Sequence, residues 1–280
     1  VIDKQFFATC LAHLVNHGRV GGDHVHVKLS TESFLNDFHV QKPEKSAPES
    51  EAQCHRTFLL ESECCIIDLE FAHQIYTKAD PNYSGRVTVP ILWDKKTNTI
   101  VSNESSEIIR MLNSSFDDIG AKKGDYYPVP LRDEIDALND RIYNTINNGV
   151  YKSGFSTTQE AYEDAIYPLF ESLDWLEEKL SKSRFLIGNK PTEADWRLFP
   201  TLYRFDSVYV GHFKCSIKRI VDYPNLWAYT RDLYQWPEIQ DTVNMEHARR
   251  HYYESHDTIN PTRIVPIAPE INWNESHNRT

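Results

Sequence analysis

The sequence predicts a small α/β unit followed by an all-helical domain of about 140 residues. Three observations predict it: an alternating apolar run that turns back on itself between residues 87 and 102, an amphipathic stretch directly after it, and apolar residues at helical spacing from Leu131 onward. Residues 1–72 read differently, mixing polar runs such as Gln41 to Ser50, a loop or linker, with short apolar pieces. Val25 to Leu29 alternates like a strand, and Thr57 to Leu69 is densely apolar around the vicinal pair Cys64 and Cys65. From there Val87, Val89, Ile91 and Trp93 alternate strand-like up to the polar turn 94–98, and Thr99 to Ser102 reads as the return strand of a hairpin. Pro90 inside the run has no ladder donor, so an edge, a bulge or a cis bond is implied there. Ser105 and Ser106 then offer hydroxyl caps to a short helix with Ile108, Met111 and Leu112 on one face.

The second domain, residues 125–267, is helical throughout, with a tail over 268–280. Leu131 to Asn148 places Ile135, Leu138, Ile142 and Ile146 on one side. Thr157 followed by Glu160 is a capping-box signature for a long helix carrying Ala161, Ala165, Leu169, Leu173, Leu176 and Leu180, with a kink expected at Pro168. Thr192 with Asp195 announces another helix through Trp196, Leu198, Leu202 and Phe205, and Pro224 starts one more that runs to Tyr234. Asp195 therefore has a structural label, and its replacement should damage folding before catalysis.

With 41 acidic against 30 basic residues, a net charge of −11 argues against a generic nucleic-acid or anionic-membrane surface. No apolar run approaches the roughly 18 to 20 residues of a membrane helix, and residues 1–10 lack the profile of a signal peptide. Five cysteines are an odd, sparse set that does not form a disulfide framework, so a reducing compartment, cytoplasmic or organellar, is expected and secretion is not.

The most informative local constellation is Val89-Pro90 followed by Asn103, Glu104, Ser105 and Ser106. A strand residue before a cis-proline exposes its backbone to a peptide ligand. A helix N-terminus with its serine can bind a carboxylate while Glu104 pairs with an ammonium. The bland alternative is a turn proline beside an ordinary helix cap.

The stretches 78–94 and 102–113 closely resemble the Xi class of glutathione transferases, the S-glutathionyl-hydroquinone reductases. The resemblance continues through 143–155, 192–199, 204–206, 209–215 and 258–261, covering roughly residues 75 to 267. It implies a thioredoxin-like N-terminal domain for glutathione, of which 73–124 is the remainder, and a helical domain that forms the second-substrate pocket, usually in a homodimer. By position, Val89 would pair with the glutathione backbone at Pro90, and Glu104 and Ser105 would take its γ-glutamyl end. Tyr151 and Tyr253, with Tyr252 beside them, match tyrosines that the family places around the hydroquinone; the ordinary reading of a tyrosine is packing with one end wet. Glutathione would be the co-substrate, with quinol-type small molecules as the other partner and no metal.

The family's chemistry rests on a cysteine in a Cys-Pro-Trp-Ala-His-Arg-Thr motif at a helix N-terminus, where the dipole stabilises the thiolate. The nearest match is Cys54, followed directly by His55, Arg56 and Thr57, so Pro-Trp-Ala is absent. Losing three residues there rotates the cysteine by most of a helical turn relative to the residues after it. The family also puts several dozen residues between this motif and the Lys78 stretch, where this chain has about 20. The thioredoxin-like half is thus shortened or rebuilt, and Arg263 replaces a family glycine. Cys64, Cys65 and Cys215 read as packing residues, and His24 and His26 lack a third metal ligand. Two functions stay open: a reductase with Cys54 as nucleophile, or a non-catalytic subunit or scaffold of a larger assembly on the same fold.

Overall fold

The computed structural model describes residues 72–88, 90–94, 96–119, 121 and 124–279. Cys54 and Val89 lie outside the described residues, as do the readings made for His24, His26 and the Cys64–Cys65 pair.

The small unit comprises helix α1 (Ala72–Ala79), strands β1 (Leu92–Asp94) and β2 (Thr99–Ser102), and helix α2 (Ser105–Ser114). The two strands are antiparallel, with Trp93 opposite Ile100 and Asp94 opposite Thr99. Asp94 Oδ1 closes the turn by accepting from the amides of Lys96 at 2.7 Å and Thr97 at 3.2 Å. The strand expected over 87–93 is shorter than its alternation suggests and begins only at Leu92. Pro90 brings no amide, and the polar groups of Thr88 are taken elsewhere: the Tyr76 hydroxyl donates to its carbonyl at 2.7 Å and accepts from its amide at 3.3 Å.

Helix α2 also departs from expectation in its cap. Glu104 occupies the N-cap position without a side-chain capping bond, and the hydroxyl that serves the helix start is that of Ser102. Ser102 Oγ accepts from the Glu104 amide at 3.1 Å and donates to Glu107 Oε2 at 2.9 Å. The inward face is Ile108, Ile109 and Leu112, with Met111 only half-buried.

In the helical domain, α3 (Arg132–Ile142) continues through a π-helical turn (Tyr143–Asn147) into α4 (Gly149–Gly154). Helix α5 (Gln159–Leu180) runs through Pro168, and its N-cap is Thr158, one residue later than the capping-box spacing indicated. Thr158 Oγ1 accepts from the Ala161 amide at 3.2 Å, and Ala161 itself is exposed. Helix α6 (Glu193–Arg204) is buried at every position and leads through a second π-helical turn (Phe205–Tyr209) into the short α7 (Val210–His212). Helix α8 (Pro224–Tyr234) packs on α5 and α6. Helix α9 (Met245–Ser255) falls in the stretch expected to be helical but has no bounds in the sequence pattern, because Glu246, Arg249 and Arg250 mask its apolar spacing; Asn244 caps it, accepting from the His247 amide at 3.0 Å. The last residues dock on this domain, with Trp273 against Tyr203 and Trp227, and the Arg279 guanidinium donating to the carbonyls of Leu180 and Arg184 past the end of α5.

Arg110 of α2 ties the two units together. Its Nε and Nη2 donate to Glu193 of α6 at 3.1 and 3.2 Å, Nη2 also reaches Asp136 of α3, and its plane lies 3.8 Å over the Tyr127 ring. Glu193 is only 5% exposed and keeps Asn139 and Arg197 as further partners. Arg110→Met is therefore expected to destabilise the protein by about 1–3 kcal/mol and to speed amide exchange in α2. Urea denaturation and hydrogen exchange check it, and exchange unchanged in α2 would contradict the clamp.

Candidate active site

Two clusters carry the expected site residues. The first lies where the chain enters α2. Asn103 Nδ2 donates to the Tyr76 hydroxyl at 3.1 Å and to Thr88 Oγ1 at 3.0 Å, so one amide pins the segment before Pro90 to the segment before Glu104. Pro90 is buried, Glu104 exposed and Ser105 half-buried. The Glu104 carbonyl accepts from the amides of Glu107 and Ile108, the first turn of the helix. Among the described residues the Ser105 and Ser106 amides ahead of them have no acceptor and the Glu104 carboxylate has no partner, so the positive end of α2 lies beside an acidic group with its first amides unmet there.

The second cluster is aromatic and lies in the helical domain. Tyr151 on α4, Tyr209 in the second π turn and Tyr252 on α9 join through their hydroxyls, Tyr151 to Tyr252 at 2.5 Å and Tyr252 to Tyr209 at 2.9 Å. Tyr252 and Tyr209 are fully buried, and Tyr151 keeps 9% of its surface exposed. Fully buried Arg204 lies close enough to Tyr151 and Tyr209 for its positive charge to oppose the rise of their phenols. Burial first, then the neighbouring hydroxyls, push the phenols of Tyr151 and Tyr209 well above their ordinary value, so both are neutral donors.

Tyr253 points to another side of α9, against the His212 ring at 4.6 Å, and its hydroxyl donates to the Val208 carbonyl at 3.4 Å. A Cβ at position 211 would come within 2.8 Å of that hydroxyl, so Gly211 is what lets Tyr253 lie there. His212 Nε2 and His256 Nδ1 meet at 3.0 Å in the same packing, with His251 nearby. Cys215 is fully buried, and burial pushes its thiol up to about 12, which removes it as a nucleophile. Among the described residues no three His, Cys, Asp or Glu side chains converge on a metal-sized centre, and no helix is long and apolar enough to cross a membrane.

A family model for the C-terminal domain of glutathione S-transferases matches residues 159–232. A solved structure of the glutathione-bound transferase homolog YqjG from Escherichia coli K-12 is 59% identical, covers 76% of this chain and 70% of that chain, and superposes with a TM-score of 0.75. Glutathione transferase Xi 1 from Trametes versicolor is 53% identical over 73% of this chain and 72% of that chain, with a TM-score of 0.71. The chain belongs to the Xi class of glutathione transferases. Among Xi-class relatives, the glutathionyl-hydroquinone reductase PcpF of Sphingobium chlorophenolicum is 60% identical over 200 residues, 71% of this chain and 64% of that protein. Glutathionyl-hydroquinone reductase YqjG of Escherichia coli K12 is 60% identical over 210 residues, 75% of this chain and again 64% of the relative. This Xi-class chain thus spans somewhat under two thirds of the length of the reductases it matches.

Sequence reasoning placed Asn103 in the constellation before α2 without giving it a role, and it did not single out Tyr76, Tyr209 or Arg204. The one local signal for Arg204 is a charged residue set between Leu202, Tyr203 and Phe205 in an otherwise apolar stripe, which demands a buried partner.

Proposed function

We propose that this chain acts as a glutathione-dependent thiol transferase that removes glutathione from glutathionyl-hydroquinones, in the homodimer usual for its class. The observation that carries the reading is its 60% identity to two proteins named glutathionyl-hydroquinone reductases. In it, the Cys54 thiolate attacks the glutathionyl sulfur, the carbon–sulfur bond to the ring breaks, and the ring carbon takes a proton as hydroquinone leaves. The resulting mixed disulfide is resolved by a second glutathione thiolate, which releases the Cys54 thiolate, so the thioether sulfur and one glutathione thiol end as glutathione disulfide while the ring carbon is reduced. Val89 and Pro90 would hold the glutathione backbone, with Glu104 on its ammonium and Ser105 with the free amides of α2 on its carboxylate. Tyr151 and Tyr253 would bind the hydroquinone, and buried Tyr252 would support Tyr151.

One observation favours the other reading. The Pro-Trp-Ala stretch after Cys54 is absent, as it would be in a non-catalytic subunit or scaffold of a larger assembly. Turnover of a glutathionyl-hydroquinone with glutathione, scored by released hydroquinone and by the mass of any adduct on the protein, separates the two. The expected result is turnover with a glutathione adduct on Cys54, both abolished in Cys54→Ala. Well-folded protein with neither turnover nor adduct would leave the scaffold reading.

A further inference from the structure

We propose that Asn103 and Tyr76 are positioning residues for glutathione, locking the segment before Pro90 to the mouth of α2 so that the two ends of the tripeptide meet surfaces already in register. This role rests on the reading of Val89, Pro90, Glu104 and Ser105 as the glutathione contacts and adds to it what holds those contacts at a fixed separation.

The two halves of that surface share no strand pairing. Among the described residues the ladder starts only at Leu92, so the backbone from Tyr83 to Thr88 is held by side chains instead. The Tyr83 hydroxyl donates to the Arg86 carbonyl at 2.6 Å, and its ring packs on that of Tyr76 with centroids 4.8 Å apart. Tyr76, only 3% exposed, then claims both backbone polar groups of Thr88, donating to the carbonyl at 2.7 Å and accepting from the amide at 3.3 Å.

Asn103 joins this segment to the helix mouth. Its Nδ2 carries two protons and has two acceptors, the Tyr76 oxygen at 3.1 Å and Thr88 Oγ1 at 3.0 Å. Since the Tyr76 proton is committed to the Thr88 carbonyl, the phenol oxygen is left to accept. Thr88 is followed by Val89 and Asn103 by Glu104, and successive Cα atoms lie about 3.8 Å apart, so a fork between residues 88 and 103 sets where both neighbours stand. Ser102 Oγ, accepting from the Glu104 amide at 3.1 Å, fixes the backbone on which the exposed Glu104 carboxylate is carried. A ligand that must touch both halves gains from this: if they drift apart, only a fraction of molecules is competent to bind, and the apparent dissociation constant rises by the inverse of that fraction.

Isothermal titration of the whole chain with glutathione tests the lock. Asn103→Leu, similar in shape but without donors, should raise the Kd about tenfold, and Tyr76→Phe by a similar factor, with one site per chain retained in both. Thr88→Val removes one acceptor and should cost about threefold, whereas Thr88→Ser keeps the oxygen and should bind like the wild type. Adding Thr88→Val to Asn103→Leu should weaken binding no further, because the bond they share is already gone. Should Tyr76→Phe fail to fold, Asn103→Leu and the Thr88 pair decide. Unchanged affinity in Asn103→Leu, losses that multiply in the double variant, or wild-type affinity with fewer sites, the mark of partial unfolding, overturns the positioning role and leaves the glutathione site standing. Failure of the wild type to bind glutathione overturns the site reading and this role with it.

Discussion

Asp195→Ala is expected to lower the unfolding free energy by about 3–5 kcal/mol, a large fraction of what a domain of this kind has to lose. The carboxylate has no exposed surface and accepts four bonds: from the Thr192 amide at 2.7 Å, the Thr192 hydroxyl at 2.9 Å, the Leu186 amide at 2.9 Å and the Tyr229 hydroxyl at 2.9 Å. One group therefore closes the capping box of α6, holds the loop before it and anchors α8. Burial raises the pKa of Asp195, and the amide and hydroxyl donors work against that rise. Alanine would strand all four donors in a dry core, each unmet bond costing about 1–3 kcal/mol less whatever the site relaxes to recover. Tyr229→Phe removes one donor with its partner's other bonds intact and should cost far less. Urea denaturation of both variants checks this, and a loss under about 1 kcal/mol in Asp195→Ala would show that water replaces the carboxylate.

Acidification below neutrality is expected to destabilise the protein through the histidine cluster. Burial pushes His212 down to about 3 and His256 to about 4, and His251 also falls to about 3. The geometry says the same: His212 Nε2 and His256 Nδ1 at 3.0 Å share a single proton, and a second would set two N–H groups against each other. These are bases whose folded pKa lies below the unfolded value near 6.5, so the unfolded chain binds protons first. Their contribution is complete above about 6.5 and is lost as pH falls toward 3 to 4, a tenfold change in one group's proton affinity being worth about 1.4 kcal/mol. Between about pH 6.5 and 5 carboxylates near their ordinary pKa scarcely titrate, so the histidines dominate that window. His256→Phe, placed against Phe155 and Phe213, should flatten the dependence of thermal midpoint on pH in that window. An equal slope in wild type and variant would assign the acid sensitivity elsewhere.

Some of this site was legible from short-range chemistry. Thr192 and Asp195 are three residues apart, and that spacing alone closes a cap whatever surrounds it. The hairpin of β1 and β2 was visible in its alternation and its Asp94 turn, and the start of α2 in the run around Glu104. The hydroxyl that serves its start, that of Ser102, was passed over because serines at 105 and 106 compete for the same role, and only the path of the backbone decides which hydroxyl reaches the Glu104 amide. Val87 to Ile91 looked like strand because side-chain alternation is read without knowing that the Tyr76 hydroxyl has claimed the backbone of Thr88.

The two-part architecture, the positions of the main helices and the residues at the mouth of α2 can be read from the residues alone, since they depend on patterns repeating every two to four residues and on strings shared with a family. Tertiary structure alone decided the hydroxyl chain, where Tyr151 meets Tyr252 across 101 positions and Tyr209 meets it across 43. Such contacts depend on two π-helical turns that rotate the residues downstream of them and on a polar helix, α9, whose inward face exists only once the rest of the core is there to receive it.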